Sequence, residues 1–173
     1  WNDGGRGVTL RWAVVDTSLG SMLVAATGKG VCRLSFDEGP DELARRFPNA
    51  ALEQGGEAFA ALLQDVIDAV EAPGNFAHIP LDVKGTAFQE ACWTALRAIP
   101  PGETRSYSDI AAAAGNPKAV RAAGSANANN HVAVLIPCHR VIRKSGRFHN
   151  YYWGPERKRA MLAWEAAHFA PAA

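Results

Sequence analysis

Short apolar runs broken by turn chemistry fill the first third of the chain, and apolar positions at helical spacing take over afterwards. Residues 11–15, 20–26 and 30–36 read as three short strands, with turn residues at 16–20 and 27–30 between them. Residues 43–47 predict a short helix ending before Pro48. Residues 57–70 predict a longer one, because Phe59, Leu62, Leu63, Val66, Ile67 and Val70 fall on one helical face until Pro73-Gly74 stops it. Residues 79–83 suggest a further strand. This first part, 1–84, is expected to be an α/β subdomain with a small antiparallel sheet.

The remainder, 85–173, reads as mainly helical. Thr86 is a suitable N-cap, and Phe88, Cys92, Ala95, Leu96 and Ile99 form an inward stripe that Pro100-Pro101-Gly102 closes. A short helix over 106–113 opens with Ser106 and Asp109 spaced as a capping box. After Gly115, Asn116 as N-cap and Pro117 as first helical residue predict a second helix running toward Ala128. Two short helices joined through a glycine outline a helix-turn-helix. The second is rich in small residues (Ala119, Ala122, Ala123, Gly124, Ser125, Ala126) beside the basic Lys118 and Arg121. Small side chains let a helix approach a broad surface closely, and they serve helix–helix packing equally well.

Composition changes this picture in two ways. The chain has 173 residues, 48% of them hydrophobic, enough for one domain or two small packed subdomains. No 18-residue apolar span or secretory leader pattern appears, so a soluble cytoplasmic protein away from membranes is expected, although the chain opens at Trp1 and not Met. The net charge of +1 hides an asymmetry: residues 1–96 carry 7 Lys/Arg against 13 Asp/Glu, and residues 97–173 carry 11 against 4. A basic second half suits a polyanion such as nucleic acid, and equally a dipolar protein whose halves attract.

Three widely spaced cysteines make neither a disulfide framework nor a zinc pattern. Cys32 lies in a strand-like run and Cys92 in an amphipathic helix, where a free thiol is ordinarily a buried core residue. Cys138 differs. An apolar run, Leu135-Ile136-Pro137, delivers it on what reads as a stiff, extended backbone, and His139 and Arg140 follow directly. A thiol becomes a strong nucleophile only as a thiolate, which needs a base or positive charge nearby. With Glu165 in the last helix, Cys, His and carboxylate have the makings of a relay, as in a Cys-His hydrolase.

The wider pattern is more specific. Pro137-Cys138-His139-Arg140-Val141-Ile142 resembles the signature of the O6-alkylguanine-DNA alkyltransferases, a family that includes the C-terminal domain of bacterial Ada. The likeness extends in order through Asp16-Thr17-Ser18-Leu19-Gly20-Ser21, Gly85-Thr86-Ala87-Phe88-Gln89, Ile99-Pro100-Pro101-Gly102-Glu103-Thr104, Tyr151-Tyr152-Trp153-Gly154 and Glu156-Arg157-Lys158-Arg159. The resemblance implies an α/β N-terminal subdomain joined to a helical one, whose helix-turn-helix enters the minor groove of double-stranded DNA. It implies direct, irreversible, single-turnover transfer of an alkyl group from O6-alkylguanine to Cys138, by a monomer needing no cofactor.

Residue by residue, the resemblance makes His139 the activator of Cys138 through a bound water, with Glu165 orienting it. Tyr107 would help turn out the nucleotide and hydrogen-bond the guanine, and Asn130 would tie the helix-turn-helix to the active-site segment. Arg121 would fill the space left by the flipped nucleotide, with Lys118, Ala119, Ala122 and Gly124 against DNA. Val141, Asn127, Tyr151, Tyr152 and Lys158 would line the substrate pocket. These roles make chemical sense, since the alkylated oxygen is stacked inside the duplex and must be extruded before a protein nucleophile reaches it.

Departures from the family pattern are His131, where a proline usually follows the hinge Asn, the polar Asn127 and Asn129, and His149 in place of a small residue. His78 lacks the pair of N-terminal cysteines that would make a metal site with it, and no metal is expected. Three rivals are a non-repairing lesion-binding protein, the repair module of a longer Ada-type regulator, and a Cys-His hydrolase. The first is separated by adduct mass, the second by the length of the reading frame, the third by turnover of an ester or peptide.

Overall fold

A computed structural model of the chain describes residues 2–72, 74, 76, 78–143 and 151–169. It comprises two compact units, one built from Trp1–Ala72 and Phe76–Lys84, the other chiefly from Gly85–Ala173.

The first unit holds a four-stranded sheet in the order β3-β2-β1-β4, with β1 Thr9–Thr17, β2 Gly20–Ala26, β3 Val31–Phe36 and β4 Ala51–Gln54. Thr17 closes the β1–β2 hairpin: its Oγ1 donates to the Gly20 carbonyl at 2.8 Å and accepts from the Leu19 N–H at 3.1 Å. Leu10, Leu23, Ala25 and Cys32 form a core with Leu43 and Phe47. Leu43 lies on helix α1 (Pro40–Arg46), and a second helix, α2 (Glu57–Glu71), packs against β1. Cys32 is a core thiol, its pKa pushed up to about 12 chiefly by burial.

Four sequence expectations for this unit need correction. The helix expected at 43–47 starts earlier, at Pro40, because proline suits a first helical position and Asp41 and Glu42 favour the helix N-terminus. The sheet is not wholly antiparallel, since β4 pairs parallel with β1. β4 was not expected at all: it is a short edge strand whose residues are largely exposed, so it carries no burial pattern. Residues 79–83 form no strand. They meet β3 through a single parallel bridge, Val31 with Leu81, where Val31 N–H donates to Pro80 O and Asp82 N–H donates to Val31 O. Pro80 has no N–H to extend a ladder. The approach there is so close that a Cβ on Gly30 would stand 2.5 Å from the Pro80 carbonyl.

The second unit contains α3 (Ala87–Arg97), α4 (Tyr107–Ala113), α5 (Val120–Ala128) and α6 (Pro155–Phe169), with one 3-10 turn at Cys138–Arg140. Helix α4 opens with the expected capping box, Ser106 with Asp109, and at α3 the expected N-cap Thr86 forms a full box with Gln89. Each box satisfies two backbone donors that the helix start would otherwise orphan. Helices α3, α4 and α5 pack on one another, and Trp93 ties α3 to α5 by donating Nε1–H to the Ala126 carbonyl at 2.9 Å. The pair α4–α5 is the helix-turn-helix.

Two expectations fail here as well. Helix α5 begins at Val120, not Pro117, because the Asn116 side chain accepts the Lys118 N–H at 3.3 Å and holds 116–119 in a turn. The run Leu135-Ile136-Pro137 is folded, not extended. Leu135 N–H donates to Ala133 O and Ile136 N–H to Val132 O, with Val134 at φ +67°.

Candidate active site

The path from α5 to the cysteine is organised by Asn130. Its Nδ2 donates to the Ile136 carbonyl at 2.8 Å and to Cys138 Sγ at 3.2 Å, while its Oδ1 accepts the Val132 N–H at 3.0 Å. One buried amide thus clasps both ends of the 132–138 turn and touches the thiol. Residues 132–136 are almost completely buried, so this clasp sits inside a packed segment. Val134 is held there in left-handed backbone that a β-branched residue resists.

Cys138 is 2% exposed. Burial pushes its thiol up to about 11, against the opposing influence of the Asn130 amide, Lys158 and Tyr151. At neutral pH the resting sulfur is therefore protonated. The Tyr151 hydroxyl is buried near the sulfur but within hydrogen-bond geometry of no partner among the described residues. Burial, then the neighbouring sulfur, raises its pKa well above the phenol range.

His139 is fully buried, with Nε2 at 3.0 Å from Glu165 Oε1. Burial lowers its pKa in spite of Glu165, so the ring is neutral at pH 7. Burial works to raise the Glu165 carboxyl, but hydrogen bonds from His139 and Arg140 outweigh it and keep the group ionised. An anionic acceptor fixes the tautomer: Nε2 carries the proton and Nδ1 the lone pair. Nδ1 is buried and has no hydrogen-bond partner among the described residues, leaving a base in place for a proton.

Arg140 does more than the added charge the sequence suggested. It is 1% exposed, grips Glu165 through Nε and Nη2 at 2.7–3.1 Å, and donates Nη1–H to the Ile99 carbonyl at 2.7 Å. Its only sequence sign was a charge placed within an apolar run.

Helix α6 supplies Lys158, Met161 and Glu165 from one buried face. Lys158 is buried, and its Nζ donates to the Val141 carbonyl. Val141 is anchored further by a parallel bridge to Arg105. Its carbonyl keeps a second lone pair for another donor.

On the helix-turn-helix, Lys118, Arg121 and Ala122 are exposed, Ala119 and Gly124 half-buried, and Ala123, Ala126 and Asn127 turned inward. A cleft of about 460 Å³ runs along α5, lined by Tyr107, Arg121, Gly124, Ser125, Asn127 and Arg143 among others. Burial, then the Cys138 sulfur, raises the Tyr107 phenol, with Arg143 and Asn127 pulling it down. Arg143 was not singled out from the sequence. Among the pocket residues Tyr152 stands apart, 60% exposed. Of the departures, His131 rests edge-on against Trp93, and Asn129 caps α5 by donating to the Ser125 carbonyl. His149 lies outside the described residues. A larger cleft, about 600 Å³, lies in the first unit beside Arg11, Lys29 and Phe59 and contains none of this chemistry.

Comparison with known proteins bears on the same residues. Residues 87–167 match the family described as 6-O-methylguanine DNA methyltransferase, DNA binding domain, and residues 10–83 match its ribonuclease-like domain. The chain is 37% identical over 166 residues to the methylated-DNA--protein-cysteine methyltransferase of Mycolicibacterium paratuberculosis, covering 92% of this chain and 94% of that one. The chain belongs to the O6-alkylguanine-DNA alkyltransferase family. In this chain the helix-turn-helix and Cys138 both fall inside the region matching the DNA-binding description.

A crystal structure of the Mycobacterium tuberculosis O6-methylguanine methyltransferase superposes with a TM-score of 0.78 at 35% identity, covering 95% of this chain and 97% of that one. The Mycobacterium tuberculosis OGT solved in complex with DNA gives 0.76 at 36%, over 92% and 94%. The bifunctional transcriptional activator/DNA repair enzyme Ada of Escherichia coli is 41% identical over 94% of this chain. The chain spans about half that relative's length, 47% of it.

Proposed function

We propose that this alkyltransferase repairs O6-alkylguanine in double-stranded DNA by moving the alkyl group once, irreversibly, onto Cys138. The observation that carries this is the buried thiol beside the Asn130 amide, followed in sequence by a neutral imidazole whose free nitrogen awaits a proton.

Sγ attacks the alkyl carbon, forming the S–C bond as the C–O6 bond breaks and its electron pair passes to the purine. The thiol proton travels by way of His139 Nδ1, and the departing guanine takes up a proton to become the ordinary base. Thiol plus alkylated guanine thus becomes thioether plus guanine, and the step balances without metal or cofactor. Glu165, held anionic by Arg140, supports the transient imidazolium. A thioether has no ready leaving path, so each molecule acts once.

Access requires the nucleotide to leave the stack. In this proposal α5 lies in the minor groove with Lys118, Ala119, Ala122 and Gly124 against the backbone, and Arg121 occupies the vacated space. Tyr107 and the Val141 carbonyl meet the extruded base, with Asn127, Tyr151, Tyr152 and Lys158 around it, and Asn130 keeps the thiol in register with α5. The protein acts as a monomer in the bacterial cytoplasm. Among the described residues no helix is long and apolar enough to cross a membrane.

Intact-mass measurement after incubation with excess duplex containing O6-methylguanine is the test. One methyl in place of the thiol hydrogen, mapped to Cys138, with equimolar loss of the lesion, is the expected result. Lesion-dependent binding without a mass change would replace repair by lesion recognition.

A further inference from the structure

Among the described residues, two arginines and no carboxylate line the cleft beside Tyr107. Arg121 comes from α5. Arg143 comes from the segment just past the active-site turn, where Val141 bridges Arg105 and Ile142 N–H donates to the Arg105 carbonyl at 2.9 Å. That backbone bond ends one residue before Arg143, so the side chain springs from an anchored base and reaches solvent. Its charge also registers at the Tyr107 phenol. A cleft of this size, lined by a phenol, an amide, a serine hydroxyl and two guanidinium groups, suits a nucleotide-scale anion.

We propose that Arg143 binds a DNA phosphate flanking the extruded nucleotide, while Arg121 fills the duplex from α5. The inference rests on the base-extrusion reading above. Extrusion turns a nucleotide about its own backbone and displaces the flanking phosphates, and a cation on a segment other than α5 is placed to hold one of them. Guanidinium presents paired donors that match two phosphate oxygens, which a lone ammonium does not. Arg143 is a binding residue, not part of the proton path.

The test compares wild type with Arg143→Gln and Arg143→Lys on duplexes containing O6-methylguanine. In two further duplexes the phosphate 5′ or 3′ to the lesion is a neutral methylphosphonate. Arg143→Gln is expected to weaken binding about tenfold and to lower the salt slope of log Kd by about one. The lysine variant keeps the slope at intermediate affinity. Neutralising one flanking phosphate costs the wild type a similar factor and costs Arg143→Gln almost nothing, because the contact is already gone. Thermal unfolding midpoints of the variants match wild type, so that a loss of affinity is not a loss of fold. Equal penalties from both methylphosphonates in wild type and Arg143→Gln, or unchanged affinity and slope, would overturn the assignment. Wild-type transfer to Cys138 on the native duplex is followed in parallel. If it proceeds while Arg143→Gln behaves as wild type, only the phosphate contact fails. If it does not proceed, the repair reading fails with it.

Discussion

Asn130 makes three hydrogen bonds with one side-chain amide, and two of them satisfy buried backbone groups. Asn130→Ala leaves the Val132 N–H and the Ile136 carbonyl without that partner, and each such loss costs about 1–3 kcal/mol. Urea unfolding is expected to show a loss within or above that range; a change below about 0.5 kcal/mol would mean that the turn holds itself. The thiol it touches makes a second prediction. Because burial raises Cys138 to about 11, its reaction with iodoacetamide in DNA-free protein should climb with pH toward that value. Peptide mapping across the pH series checks this, and a plateau near neutrality would show a thiolate at rest. Cys32, at about 12, should react later still.

Helix α6 is amphipathic in a way its apolar residues conceal, since its buried face carries Lys158 and Glu165 alongside Met161. Glu165→Gln takes the counter-charge from Arg140, whose guanidinium is 1% exposed, and removing one partner of a buried ion pair costs about 3–5 kcal/mol. Denaturant unfolding measures it. In α5, Gly124 offers the opposite effect. A methyl there would meet Tyr107 Cδ1 at 3.9 Å, an ordinary contact, and alanine is favoured over glycine within a helix by about 1 kcal/mol. Gly124→Ala should therefore raise the unfolding midpoint while weakening duplex binding, because the methyl enters the cleft along α5. A stabilised variant that binds as wild type would show that DNA does not approach this face. The N-caps of α3 and α4 were readable because caps are local chemistry, and so was the strand pattern of β2 and β3. The start of α5 and the folding of 132–137 were not. Both depend on Asn side chains bonding to backbone a few residues away, and in such stretches hydrophobic periodicity gives no signal. The Arg140–Glu165 pair spans 25 residues and is invisible to local pattern.

Over the whole molecule, acid should act through the buried His139–Glu165 pair. Unfolded, His139 takes up a proton near its ordinary 6.5; folded, burial holds its pKa lower. The unfolded state thus binds more protons, and stability falls as pH drops below about 6.5. Glu165, ionised in the folded protein below its ordinary 4.5, adds a second loss at still lower pH. Thermal unfolding from pH 8 to pH 4 should show a falling midpoint, and His139→Gln should flatten its first stage. The charge asymmetry between residues 1–96 and 97–173 is visible in the sequence, but it carries no sign of this buried pair. The 2% exposure of Cys138 has a consequence on the scale of time. Under the proposed single transfer, each molecule is worth only what survives the wait. A permanently ionised, open sulfur would be lost to electrophiles and oxidants. Kept as a covered thiol, it is shielded from them through long idleness.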